Sequence, residues 1–295
     1  VSGAARVWRQ NRAGLLFVSP WLVGFLLLQV WPFLGSAWLS LTSYDLVSPP
    51  RYVGMENYRT LVADDPAFWK SLGVTLRYAL VSVPLSVVAG VALALLLNVE
   101  IRGQAIFRTL FYLPSVLPQV ATAVLFTWLL NPELGLVNGV LHLVGVQGPA
   151  WLQDARWAPW TLVFLSVWSV GGGMVIYLAG LKDVPAYLYE AALLDGASAW
   201  QRLRAVTLPM LTPVIFYNVV MGVIASFQTF TEAYVMTKGG PEGSTTFYAL
   251  YLFRRAWDNL DMGYACAMAW VLFLVIAAVT LALFRGQKRW VNYDR

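Results

Sequence analysis

The sequence predicts an all-α polytopic membrane helical bundle of six transmembrane helices, with a compact polar helical piece between the fourth and fifth. Three observations carry this prediction. Of 295 residues, 59% are hydrophobic and 12% are charged, whereas ordinary soluble domains are about 25% charged. Apolar runs long enough to cross a bilayer recur six times. Many of the 14 Trp and 14 Tyr flank those runs, as interface belts do.

The first run covers about 15–39 and follows Arg6, Arg9 and Arg12. Its length, and the lack of a small-residue cleavage site, argue against a cleavable signal peptide. The second run, 72–97, contains Pro84 and the basic Arg77. The third, 109–130, contains Pro114 and Pro118, and the fourth, 157–181, contains Gly171, Gly172 and Gly173. The fifth covers 211–236 and the sixth 262–284. Between the third and fourth, an apolar stretch in the 131–156 loop reads as a short surface helix. Prolines and glycines inside spans fit packed or cavity-lining segments, where neighbours re-satisfy the backbone. The expected division is an N-terminal tail at 1–13, one transmembrane domain at 14–284 and a C-terminal tail at 285–295.

Six spans place both termini on one side. The tails with the 98–108 and 182–209 loops carry 12 Lys or Arg, against 7 in the longer loops opposite. By the positive-inside rule, both termini and the 182–209 loop are expected in the cytoplasm.

Residues 190–209 read EAALLDGASAWQRLRAVTLP. Pro185 sets a turn, and good helix formers run to Leu194 with Glu190 near the start. Gly196 permits a reversal or a close approach. A second helical piece spaces Trp200, Leu203 and Val206 by three, and Pro209 is expected to end it. The apolar side chains Ala191, Ala192, Leu193 and Leu203 suit a groove on another protein. The stretch is not strongly basic, which argues against a simple membrane-surface helix.

A polar pathway needs hydrogen-bonding side chains at membrane depth. In the fifth run Asn218, Gly222, Ser226 and Thr229 are spaced to share one helical stripe, with Gln228 and Glu232 on the next. The fourth run offers Ser166, Trp168, Ser169 and the triple glycine 171–173, with Gly172 singled out. An indole beside hydroxyls and amides suits a sugar. Glu232 has two readings, a role in the pathway or a reach to the interface, and Arg77 is given no role. Single residues of histidine (His142) and cysteine (Cys266) exclude multi-His and multi-Cys metal sites and any disulfide within the chain. None of Lys70, Lys182, Lys238 and Lys288 follows a glycine, so there is no phosphate-binding loop. An intramembrane enzyme would need a nucleophile–base pair or metal cluster that is not present. A simple channel would not need the polar helical piece. No nucleic-acid partner is expected.

The EAA triplet at Glu190–Ala192, then Asp195-Gly196-Ala197 and Leu208-Pro209, resembles the EAA loop of permease subunits of ATP-binding-cassette importers. Asp65-Pro66, Phe68-Trp69 and Thr75 resemble the lead-in to the second span in the carbohydrate-uptake (maltose/glycerol-3-phosphate) branch. Met236-Thr237-Lys238-Gly239-Gly240-Pro241, with Thr245 and Thr246, resembles that branch's loop after the fifth span. Two departures are Gly73, with no Asn directly before Thr75, and Leu203 in place of the usual Phe. The resemblance covers about residues 14–284 and implies a binding-protein-dependent permease in the cytoplasmic membrane. It implies alternating access driven by two separate ATPase subunits. These bind ATP and Mg; this chain has no cofactor, metal or catalytic residue. Glu190 and Asp195 are the expected polar couplers, and Ala191, Ala192, Gly196, Ala197, Leu203 and Pro209 complete the docking element. Further implied partners are a second related permease, an extracytoplasmic solute-binding protein and membrane lipid. The implied substrate is a sugar, of di- or oligosaccharide size, with glycerol-3-phosphate or another polar solute as the alternative.

Overall fold

The computed structural model describes residues 3–99 and 102–292. Residues 1–2 and 293–295 of the expected tails, and Glu100 and Ile101 of the 98–108 loop, lie outside them. In chain order the elements are α1 (Gly3–Phe25), α2 (Trp31–Leu39), β1 (Thr42–Ser43), β2 (Arg51–Tyr52), α3 (Glu56–Ala63), α4 (Pro66–Leu97) and α5 (Gln104–Val116). There follow α6 (Gln119–Leu129), α7 (Leu136–Leu143), α8 (Ala158–Trp168), α9 (Gly171–Lys182), α10 (Ala186–Leu194), α11 (Ala199–Arg202), α12 (Leu208–Phe227), α13 (Tyr248–Phe253) and α14 (Met262–Gly286). Among the described residues, four helical stretches are long and apolar enough to cross a membrane, and up to six if each of two bent helix pairs is one span. The all-α membrane bundle therefore stands, with six spans when each bent pair is counted as one, and with α7 as the expected short helix in the 131–156 loop.

Contacts divide the chain into two units. The first holds residues 1–65 and 252–271. Here α1 runs through a π-helical turn at Leu26–Val30 into α2, whose first turn holds Pro32. The wider turn keeps the path helical where a proline ring crowds the preceding carbonyls. The Asn57 amide donates to the carbonyls of Ser40 (2.8 Å) and Thr42 (2.9 Å), pinning the exit of α2. Asp65 is buried and accepts from Arg255 at 3.3 Å and from the Tyr264 hydroxyl. The Arg255 guanidinium also lies over the Tyr264 ring, 4.8 Å from its centre.

The second unit holds residues 66–251 and 272–295. Its organising element is α4, which packs on α8, α9 and α12. One apolar cluster joins Val91 and Ala94 of α4 to Met174, Tyr177 and Leu178 of α9 and Leu211 of α12. Another joins Phe126 of α6, Leu162 and Leu165 of α8, and Phe247 and Leu250.

Three details differ from the sequence expectation. The third span is not one helix, because α5 and α6 meet at 98°. Leu117 is extended ahead of Pro118, as a residue preceding proline tends to be, and Pro118 caps α6. The fourth span bends by 43° between α8 and α9. There Gly171 meets α5 so closely that a side-chain carbon would lie 2.3 Å from the Phe111 carbonyl oxygen. The fifth span begins earlier and ends earlier than 211–236. Pro209 does not end a helix: α11, a π-helical turn at Leu203–Thr207 and α12 form one apolar helical stretch, Ala199–Phe227. The Leu208 N–H reaches back to the Leu203 carbonyl, so the path stays helical as Pro209 enters the first turn. At the far end, Ser226 Oγ and Thr229 Oγ1 bond the carbonyls of Val223 and Ala225 at 2.8 and 3.4 Å. Such side-chain bonds compete with helix continuation. Residues 229–230 have no regular structure, and a short helical turn resumes at Thr231.

Candidate functional site

Two features gather the predicted residues, both within the second unit. The first is a cavity of about 620 Å³ between α4, α8, α9 and the end of α12. Asn218, Gly222 and Ser226 face it from α12, and Gln228 and Thr229 face it from beyond the helix end. Gln228 and Thr229 are thus in the cavity without lying on a helical stripe. Ser169 lines it where α8 gives way to α9. The glycine that lines it is Gly173; Gly172 does not, and faces Ser115. A side-chain carbon on Gly173 would come within 3.3 Å of Asn218 Oδ1, so this glycine leaves that oxygen room. Trp168 does not line the cavity. Its ring packs edge-on against Phe126, 4.9 Å between centres, in the apolar core.

The polar groups divide by hydrogen-bonding capacity. Ser166 Oγ donates to Val163 O at 2.7 Å, Ser169 Oγ to Leu165 O at 3.0 Å and Ser226 Oγ to Val223 O. With their protons so used, these oxygens are left as acceptors. Asn218 Nδ2 gives one proton to Val214 O at 2.9 Å and keeps another. Donors also come from the amides of Gln119 and Gln228 and the phenol of Tyr78. The Tyr78 hydroxyl interacts with Ser166, Thr229 and Ser82, and Glu232 is close enough to act on it electrostatically. Among the described residues that form the lining, Glu232 is the charged one, and none is Lys, Arg or His. A side chamber of about 250 Å³ at the α5–α6 bend shares Gln119, Ser169 and Glu232 with it.

Sequence reasoning missed the contribution of α4. Tyr78, Ser82 and Ser86 line the cavity at intervals of four residues, one helical stripe. The signal was present: three polar side chains in register within an apolar run.

The second feature is the α10–α11 hairpin. Pro185 precedes α10 in an extended conformation and serves as its N-cap. Asp195 closes the helix, and Gly196 follows at φ 75°, in the left-handed region where side chains are disfavoured. The Gly196 N–H reaches Leu193 O at 3.0 Å and the Ala197 N–H reaches Ala192 O at 2.9 Å, a Schellman closure. A side-chain carbon on Gly196 would meet nothing, so backbone conformation, and not a close approach within this chain, is what its position requires. Ser198 and Gln201 then form a reciprocal capping box that opens α11. The Tyr189 hydroxyl and Thr207 Oγ1, 3.0 Å apart, tie the two arms together. Glu190, Ala191, Asp195 and Gly196 are exposed, while Ala192, Ala197, Leu203 and Pro209 are half-buried. Leu194 is 90% and Trp200 68% exposed, so the hairpin carries apolar surface with no cover within the chain.

The fold and the two features are those of a helical membrane protein with a polar cavity and an exposed hairpin. The chain belongs to the family described as binding-protein-dependent transport system inner membrane component, which matches residues 66–292. Among its relatives, a probable ABC transporter permease protein, YesP, of Bacillus subtilis (strain 168) is 44% identical over 97% of this chain and 94% of its own. The trehalose/maltose transport system permease protein MalF of Thermococcus litoralis is 33% identical over 94% of each chain. A solved bacterial alginate ABC transporter, in complex with an alginate pentasaccharide-bound periplasmic protein, contains a chain that superposes with a TM-score of 0.85. That match covers 96% of this chain and 98% of the other; at 23% identity it is a likeness of fold.

Proposed function

We propose that the chain is the membrane-spanning half of an ATP-driven sugar importer, paired with a second related permease and moved by separate ATPase subunits. The observation that carries this reading is the continuous helical stretch Ala199–Phe227, which begins in the exposed hairpin and ends at the cavity. A docked ATPase would move the hairpin with its own closure, and the cavity would switch between its two openings. The binding and hydrolysis of ATP with Mg belong to those partner subunits. The linkage is reciprocal, so solute in the cavity biases the ATPase as the ATPase biases the cavity. Both termini and the hairpin face the cytoplasm in this reading, and an extracytoplasmic binding protein delivers the solute to the other side.

The lining suits a sugar of di- or oligosaccharide size. It offers acceptor hydroxyls, donor amides and phenols, and no base that would hold a phosphate. The maltose relative's name agrees with that chemistry. Glycerol-3-phosphate would need a cationic group from elsewhere.

Affinity purification of the tagged chain from its native membrane tests the assembly. An ATP-binding-cassette subunit and a second permease are expected with the wild type. Glu190→Lys is expected to lose the ATPase while the chain still inserts. Uptake without ATP by the chain alone would overturn the proposal.

A further inference from the structure

The charge at membrane depth left over by this reading is Arg77. It lies five residues inside the apolar part of α4, roughly 8 Å along the helix axis. Among the described residues it makes no ion pair. A cation in a span is costly unless it meets a counter-charge or reaches the interface.

Arg77 faces a groove of about 460 Å³ between α4, the start of α8 and residues 242–247. Lys70 lines the same groove from two turns away on the same face of α4. Its ammonium donates to the Glu242 carbonyl at 2.6 Å, which fixes the group without neutralising it. Gly73 lies between the two cations and opens the helix face: a side-chain carbon there would touch nothing. Across the groove stands Trp160, 58% exposed. The wall between the cations and beyond Arg77 is apolar, with Val74, Val81 and Val163.

We propose that this groove binds the headgroup of an acidic phospholipid, with Arg77 and Lys70 on the phosphate and an acyl chain along Val74, Val81 and Val163. The arrangement fits that ligand's two-part chemistry. Two cations separated by about 10 Å of helix suit an anion at the interface. The arginine fork matches phosphate oxygens, and an exposed indole is at home at the headgroup level. A soluble anion would gain nothing from the apolar wall.

The test uses the full chain, purified with the subunits that accompany it and equilibrated with an equimolar mixture of phosphatidylglycerol and phosphatidylcholine. Native mass spectrometry then counts the retained lipids. The wild type is expected to keep one more phosphatidylglycerol than Arg77→Gln, with about fivefold weaker retention in that variant. Arg77→Lys is expected to restore most of it. Gly73→Leu, which fills the groove and keeps both charges, is expected to lose it; this variant decides the matter if Arg77→Gln fails to assemble. Equal retention in all four proteins, or equal retention of phosphatidylcholine, overturns the proposal. Displacement by inorganic phosphate overturns it in favour of a free-anion site. Capture of the second permease by a photo-crosslinking amino acid placed at Trp160 overturns it in favour of a protein cover.

Discussion

Single residues set the conformations on which both features depend. Gly196 is held at φ 75° with open space around it in this chain, so within the chain any loss on substitution comes from the backbone. Gly196→Val is expected to cost about 1–2 kcal/mol locally and to loosen the Schellman closure. Uptake and ATPase association should fall while membrane insertion is unchanged; unaltered uptake would show that the hairpin tolerates another path. In the first unit, burial of the Asp261 carboxyl holds it above the ordinary carboxylate range, with the Tyr264 N–H and Arg255 pulling the other way. A carboxyl that is a weaker acid when folded binds its proton more tightly when folded. Stability therefore rises as pH falls through the folded-state value and is lost as pH rises past it. Asp261→Asn should flatten this dependence, measured as melting temperature of the detergent-solubilised protein from acidic to neutral pH. Identical slopes for variant and wild type would refute the assignment.

At the scale of elements, polar pattern and packing pattern have to be separated. Asn218, Gly222 and Ser226 could be read as cavity-facing because their spacing brings polar and small side chains together on α12, and they do line the cavity; Thr229 lines it from beyond the helix end. Trp168 could not be separated in the same way. An indole serves a sugar face or an apolar core equally well, and only the position of Phe126, 42 residues earlier, decides between them. The two sites should respond differently. Asn218→Leu is expected to reduce uptake about tenfold or more with little change in melting temperature, since a hydrogen-bonding position is replaced by an apolar one. Trp168→Ala is expected to lower the melting temperature, because it opens space against Phe126. Uptake assays and thermal unfolding on the same preparations distinguish them; the reverse pattern would exchange their roles. The contribution of α4 was legible as the Tyr78–Ser82–Ser86 register. The end of α12 at Phe227 was not, because hydropathy continues through Val235 while local side-chain bonds interrupt the helix.

For the whole molecule, composition was enough for the class. A chain with so little charge and six apolar runs has few alternatives to a membrane bundle, and the order of spans and loops follows from their lengths. Bends were less accessible. Pro118 marks a sharp turn of 98°, while Pro84 stands inside the unbroken helix α4 and Pro209 in the first turn of α12. A proline's effect depends on whether its neighbours can absorb the missing donor, and sequence does not carry that information.

The unbroken path from Ala199 to Phe227 has a mechanical consequence. A helix of 29 residues is a shaft about 43 Å long. Its two ends are fixed in phase as well as in distance. Each added residue turns one end against the other by about 100° and lengthens the shaft by about 1.5 Å. One alanine inserted after Met210 should leave the hairpin's contacts and the cavity's side chains individually intact but aim them out of step. ATP hydrolysis would then continue while uptake is lost. Further alanines, bringing the insertion to four and about 40° past one full turn, should recover part of the transport. Uptake and ATPase activity measured together across one to four inserted alanines would show this periodicity. A smooth decline with length would mean that the two ends communicate by another route.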